Sequence, residues 1–99
     1  MAYRLIYTKP AERDLEGIVR YIAKDNPRAA ETVGLELVAL AESLFHLPYR
    51  GAPVRDRVGV RKVIHAPYVV LYRVDEERRM VRVQRFWHAR RNPRTLSTE

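Results

Sequence analysis

The feature that most constrains the fold is the Asn26-Pro27 dipeptide, which divides one long helical pattern into two. Before it, apolar residues recur every three or four positions, as one face of a helix requires, at Ala11, Leu15, Ile18 and Ile22. A residue that precedes proline avoids helical backbone angles, so the first helix is predicted to end near Lys24-Asp25. Asparagine is a good N-cap and proline suits a first turn, so a second helix should begin at Pro27. So short a connection predicts a helical hairpin.

The segments on either side of the hairpin extend this pattern. The second helix keeps the same spacing at Ala30, Val33, Leu37, Leu40 and Leu44. Leu47-Pro48 is predicted to end it. Ahead of the hairpin, residues 3–7 are rich in aromatic and aliphatic side chains and predict a strand. Thr8 is expected to cap the first helix, with Pro10 in its first turn.

After the hairpin the pattern becomes strand-like. Residues 48–57 contain two prolines, a glycine and three arginines and predict a loop. Three strands with short connectors then follow, at residues 58–65, 68–75 and 80–87. Short connectors make them antiparallel neighbours. The predicted order is β-α-α-β-β-β: an α+β fold with a helical hairpin on one face of a curled antiparallel sheet. Residues 1–99 are expected to form a single domain, with a basic tail at 88–99.

Composition excludes several kinds of site. The chain of 99 residues has no cysteine, which rules out disulfides, thiolate metal sites, cysteine nucleophiles and iron–sulfur clusters. The three histidines, His46, His65 and His88, are far apart in sequence, so neither a metal site nor a cofactor is expected. No apolar run is long enough to span a membrane, and the N-terminus does not resemble a signal peptide. A cytoplasmic protein is therefore expected.

Charge provides the first indication of function. Lysine and arginine number 19 against 12 acidic residues, which leaves a net charge of +7. Arginine, the more frequent of the two, makes planar paired hydrogen bonds to carboxylates and phosphates. The excess predicts an acidic protein or a nucleic acid as partner.

Two sets of basic residues could carry function. His88, Arg90 and Arg91 follow the last strand. A histidine with two arginines at a strand exit could bind a phosphate and move its proton, and the alternative is a solvated basic end. The second set lies on the strands, at Arg61, Lys62, Arg73, Arg82 and Arg85.

Strand alternation predicts where this second set points. It places Arg61 and Lys62 on opposite faces of the sheet, and Arg82 and Arg85 likewise. Arg85 then shares the face of the apolar Val81 and Val83, where it needs an acidic partner that another chain could supply. A row of solvent-facing arginines on an open sheet is the alternative.

Several stretches together resemble the RelE/ParE toxin superfamily. They are residues 11–15, 21–30, 59–62, 72–75 and 88–93, so the resemblance covers nearly the whole chain. It implies the same element order and a toxin of a type II toxin–antitoxin pair. Such toxins are held inactive by a cognate antitoxin, ParD-like or similar, whose disordered and often acidic C-terminal segment wraps around them. Coupled folding and binding of this kind is favoured by opposite charge.

The resemblance leaves the activity open between two branches. ParE-like members inhibit DNA gyrase without known catalytic residues, and the link at 25–27 and the ending at 88–93 look more like this branch. Contacts to target or antitoxin are then expected from Arg61, Arg73, Arg85, His88, Arg90 and Arg91. RelE-like members cut messenger RNA on the ribosome, and that alternative would use His88, Arg91, Arg85 and Lys62 without a metal.

Departures from the nuclease pattern favour the first branch. Val69 occupies the position where RelE-like toxins commonly have an arginine, and Val60 occupies another basic position. An apolar side chain cannot stabilise the charge of a phosphoryl transition state. A third hypothesis is a toxin fold that has lost toxicity and only binds the antitoxin.

Overall fold

The computed structural model describes residues 3–90, which form an α+β fold with two helices against one face of a five-stranded sheet. Residues 91–99 of the predicted tail, Arg91 among them, lie outside the described residues. The elements, in chain order, are β1 (Arg4–Tyr7), α1 (Lys9–Ala23), α2 (Pro27–Glu42), β2 (Ala52–Pro53), β3 (Val60–His65), β4 (Tyr68–Asp75) and β5 (Met80–His88). The predicted order is confirmed, with the two-residue β2 added inside the predicted loop.

Both helix starts follow from the capping residues that the sequence indicates. The Thr8 hydroxyl accepts a hydrogen bond from the Ala11 N–H at 3.2 Å. The Asn26 side chain accepts one from the Ala29 N–H at 3.0 Å. Each cap satisfies a backbone donor that has no partner within its helix. The end of α2 comes earlier than predicted, because a 3-10 turn (Ser43–Phe45) follows it before Pro48.

The sheet has the strand order β1-β5-β4-β3-β2. The neighbours β2–β3, β3–β4 and β4–β5 are antiparallel, as predicted for the three long strands. The expectation of a wholly antiparallel sheet is wrong for β1, which pairs with β5 in parallel. The chain between these two strands passes through both helices and the strands β2, β3 and β4, so no short turn imposes an antiparallel arrangement.

The main core lies between the helices and one face of the sheet, here called the helix face. Ile18, Leu37 and Leu44 contribute from the helices and the 3-10 turn, and they are almost fully buried. The sheet contributes buried side chains from its three long strands, at Val63, Tyr68, Val70, Tyr72, Val81, Val83 and Phe86. Burial of this apolar area supplies most of the driving force for folding.

A β-bulge in β5 changes which side chains reach each face. Val83 lies opposite Tyr72, but Arg85 lies opposite Leu71, so Gln84 is an extra residue in β5. The Thr8 hydroxyl donates to the carbonyls of Val83 and Gln84 at 3.1 and 3.0 Å. An extra residue reverses the alternation of the strand beyond it.

Candidate functional site

The face of the sheet opposite the helices, here called the open face, has its own small apolar floor. Val60, Val69, Leu71 and Trp87 are buried there, with Val54 and Ala89 packed against them. Three rows of paired residues cross β3, β4 and β5 on this face: Val60–Arg73–Arg82, Lys62–Leu71–Arg85 and Ile64–Val69–Trp87. Cationic side chains therefore stand directly beside a water-excluded floor.

These three rows contain four cations and no acidic residue: Lys62, Arg73, Arg82 and Arg85. Asp75 lies further along β4, where its carboxylate accepts hydrogen bonds from the Arg78 backbone N–H at 3.1 Å and from its guanidinium at 3.0 Å. Those bonds hold the pKa of Asp75 below its ordinary value, the backbone N–H having the larger effect. The open face therefore presents concentrated positive charge, which favours an anionic partner.

Arg85 differs from its sequence-based prediction in both face and partner. The bulge at Gln84 places its backbone in the open-face row with Leu71, the same face as Arg82, rather than with Val81 and Val83. The carboxylate that pairs with Arg85 belongs to Asp14 of α1, in the same chain. Arg85 Nε donates to Asp14 Oδ2 at 2.6 Å and Nη2 donates to Oδ1 at 3.1 Å.

Asp14 also closes the free edge of β5. Its Oδ2 accepts the Phe86 backbone N–H at 3.1 Å, beyond the part of β5 that β1 covers. The Arg85 guanidinium lies 5.0 Å from the centre of the Trp87 ring, within range of a cation–π contact. The Arg85 guanidinium is therefore held by two residues of the same chain, Asp14 and Trp87.

Arg61 and Arg73 also have structural contacts. Arg61 lies on the face opposite Lys62, as predicted, where it donates to the Gly51 carbonyl at 2.6 Å and stands over the Tyr49 ring. Arg73 stays on the open face and donates to the Val58 carbonyl at 3.1 Å. Of the two, only Arg73 belongs to the open face.

His88 lies in a row of the helix face, apart from the open-face cations. It pairs with Tyr68, and the two rings meet edge to face with centroids 5.1 Å apart. Arg90 is exposed just beyond β5. The predicted nuclease set is thus divided, with Lys62 and Arg85 in one open-face row and His88 on the other side. Arg91 lies outside the described residues.

A polar cluster at one end of the sheet was not predicted. Both the Tyr3 hydroxyl, at 3.0 Å, and the Tyr49 hydroxyl donate to the Glu76 carboxylate. These two bonds, that from Tyr49 first, lower the pKa of Glu76. The bond to Glu76 raises the pKa of Tyr49 to about 12. The cluster ties Tyr3, just ahead of β1, and the loop after α2 to the β4–β5 turn.

Sequence reasoning also missed Asp14, whose partner in the chain is 71 positions away. It occupies an ordinary position on an amphipathic helix, and no local pattern marks it. Among residues 3–90, no group of three or more histidine, aspartate or glutamate side chains is placed to hold a metal ion. Within the same range, no helix combines the length and the apolar character needed to cross a membrane.

The sequence comparisons place this geometry among known proteins. The family model for the ParE toxin of the type II toxin–antitoxin system parDE matches residues 5–93. The toxin RelE2 of Caulobacter vibrioides is 35% identical over 92 residues, which cover 89% of this chain and 97% of that protein.

Two solved structures have the same arrangement of elements. The RelBE2 toxin–antitoxin complex of Mycobacterium tuberculosis matches with a TM-score of 0.65 and 31% identity, covering 89% of this chain and 92% of that one. The chromosomal ParDE toxin–antitoxin system of P. aeruginosa matches with a TM-score of 0.76 over 87% of this chain and 95% of that one. At 21% identity, this last likeness concerns the fold alone.

Proposed function

This chain belongs to the family of ParE toxins of type II toxin–antitoxin systems, and from that premise we propose that it inhibits DNA gyrase in the cytoplasm and is neutralised by a cognate antitoxin. The inhibition needs binding alone, with no bond made or broken by the toxin. The open-face cations Lys62, Arg73 and Arg82 are the contacts we assign to an anionic surface of the target.

The observation that carries this proposal is the separation of His88 from the open-face cations. A ribonuclease that works without a metal needs a general acid or base within hydrogen-bond reach of the phosphate that its cations hold. Here His88 pairs with Tyr68 on the helix face, while Lys62 lies on the open face. Arg85 is engaged by Asp14. A surface of cations with no histidine or carboxylate in its three rows suits binding better than catalysis.

A cognate antitoxin as partner has separate support. One of the neighbours, at 31% identity, is a solved toxin–antitoxin complex. The net charge of +7 favours an acidic segment, because opposite charges speed encounter and stabilise the complex.

The direct test is a gyrase supercoiling assay with purified toxin. We expect inhibition by the wild type and relief when antitoxin is added. Lys62→Ala and Arg82→Ala should each weaken inhibition, while Arg28→Ala, which removes an exposed cation from α2, should not. Unchanged supercoiling at micromolar wild-type toxin would count against gyrase as the target.

A second candidate, a ribosome-dependent ribonuclease, is favoured by the 35% identity to a toxin named RelE2. Lys62 and Arg85 share one row of the open face and could hold a phosphate if Arg85 left Asp14. The test is the integrity of a translated message in the presence of toxin. Cleavage that disappears in His88→Ala would support this alternative, and an intact message would remove it.

A further inference from the structure

The turn between β2 and β3, residues 54–59, has a tightly defined backbone. The Val54 N–H donates to the Val60 carbonyl at 2.8 Å, and the Val60 N–H donates to the Arg57 carbonyl at 3.2 Å. The Arg57 N–H donates back to the Val54 carbonyl at 3.2 Å. Together these bonds close the 54–59 loop on itself.

Two left-handed residues and an arginine complete the shape of the loop. Asp56 has a φ of 69° and Gly59 a φ of 82°, angles that side chains disfavour. A Cβ at position 59 would lie 2.6 Å from Arg73 Nη1, and the same nitrogen donates to the Val58 carbonyl. Arg73 therefore holds the loop through its bond to the Val58 carbonyl. The guanidinium lies so close to position 59 that only glycine fits there.

What this defined loop presents is an exposed apolar side chain. Val58 is 93% exposed, the highest value among the exposed large hydrophobic residues described. The loop anchors itself through Val54, which packs on the open-face floor, so Val58 is not needed for folding. An ordered loop with an exposed apolar tip loses little conformational entropy when a partner covers it.

The charges around the tip indicate the chemistry of that partner. Arg55 and Arg57 flank Val58 on one side and Arg73 supports it, while Asp56 is the one acid in the loop. An exposed apolar side chain in an arginine-rich loop matches an apolar pocket with an acidic rim on a protein. A phosphate backbone has no apolar pocket in which the Val58 side chain could be buried.

We propose that the 54–59 loop is the element that docks on the toxin's target protein, with Val58 entering an apolar pocket whose acidic rim meets Arg55 and Arg57. This inference rests on the proposed gyrase inhibition and names the part of the toxin that would recognise the enzyme. Arg73 then acts as a positioning residue for the loop as well as a cation of the open face.

The experiment compares Val58→Ser and Val58→Thr with Leu35→Ser, a matched change at a 65%-exposed apolar residue on α2. Each variant is measured for supercoiling inhibition, for antitoxin affinity and for its unfolding midpoint. We expect both Val58 variants to need about tenfold more toxin for half-inhibition, as for an interface anchor. Leu35→Ser should match the wild type, and antitoxin affinity and unfolding midpoint should not change in any variant.

The other outcomes separate the two proposals. Val58 variants that inhibit as well as the wild type overturn the docking assignment and leave gyrase inhibition standing. An equal loss of antitoxin affinity in these variants also overturns it, because the loop would then be an antitoxin contact. A wild-type chain that does not inhibit gyrase overturns the proposed function, and the target assignment of the loop with it.

Discussion

The two faces of the sheet are formed by the same strands, but one packs under the helices as the main core and the other carries the proposed binding surface. On the helix face, Val70 and Phe86 pack beneath the two helices in a continuous apolar core. On the open face, Leu71 and Trp87 are also buried. Lys62 lies in the same row as Leu71, and Arg82 lies in the neighbouring row. The helix face has an apolar layer above it, whereas the open face combines a thin apolar floor with an excess of positive charge.

This difference shows how a chain of 99 residues can combine a stable fold with a charged binding surface. Cations are costly where they lose water, so they collect on the face that no helix covers. The helix face then supplies most of the free energy of folding. Changes on the two faces should therefore separate stability from function.

The largest expected effect is on the helix face. Phe86 is 2% exposed there, and Phe86→Ala should lower the free energy of unfolding by about 3–5 kcal/mol through lost burial and a cavity. Arg82→Ala, on the exposed part of the open face, should change it by less than about 0.5 kcal/mol. Urea unfolding measures both. Similar losses for the two variants would contradict the division between the faces.

The next effect is at the edge where the two faces meet. Asp14→Ala removes the acceptor of both the Arg85 guanidinium and the Phe86 N–H, so it should cost about 1–3 kcal/mol. Arg85→Ala leaves the Phe86 bond in place and should cost less. Chemical denaturation of the two single variants and the double variant gives the coupling energy. A larger loss for Arg85→Ala would show that Asp14 is not the residue that closes this edge.

A smaller effect is expected at Thr8, which caps α1 and binds the bulge. Thr8→Ala loses the cap to Ala11 and the bonds to the carbonyls of Val83 and Gln84, so about 1–2 kcal/mol of stability should be lost. Thr8→Ser keeps the hydroxyl and is the control. Thermal unfolding would show an equal loss in both variants if the methyl group, and not the hydroxyl, were responsible.

The smallest effect is a pH dependence from the Tyr49–Glu76 bond. Glu76 has a folded pKa below its ordinary 4.5, so its contribution to stability is present above that pH and is lost as pH falls through the folded value. Tyr49 has a pKa raised from 10.0 to about 12, so its contribution is present below pH 10 and is lost as pH rises through 12. Tyr49→Phe should make the unfolding midpoint less dependent on pH at both the acidic and the alkaline end. If the midpoint changes with pH as much in the variant as in the wild type, groups other than Tyr49 and Glu76 cause the dependence.

The sequence alone determined the elements and most of their boundaries. Asn26-Pro27 marks the start of α2 and Thr8 the start of α1, because caps and prolines act on backbone groups within a few residues. The strand β4 begins and ends where the apolar run at 68–75 predicts. The placement of Arg61 and Lys62 on opposite faces followed from strand alternation.

Which arginines face outward together, and which are held by partners within the chain, depends on contacts between distant elements. The polar pair Gln84-Arg85 interrupts the alternation that runs from Val81, but it fits a buried arginine as well as it fits the bulge at Gln84 that moves Arg85 to the other face. The Asp14–Arg85 pair joins positions 71 residues apart, and the parallel β1–β5 pairing spans nearly the whole described chain. Such contacts depend on how elements pack, and that packing is not specified by the periodicity of any one of them.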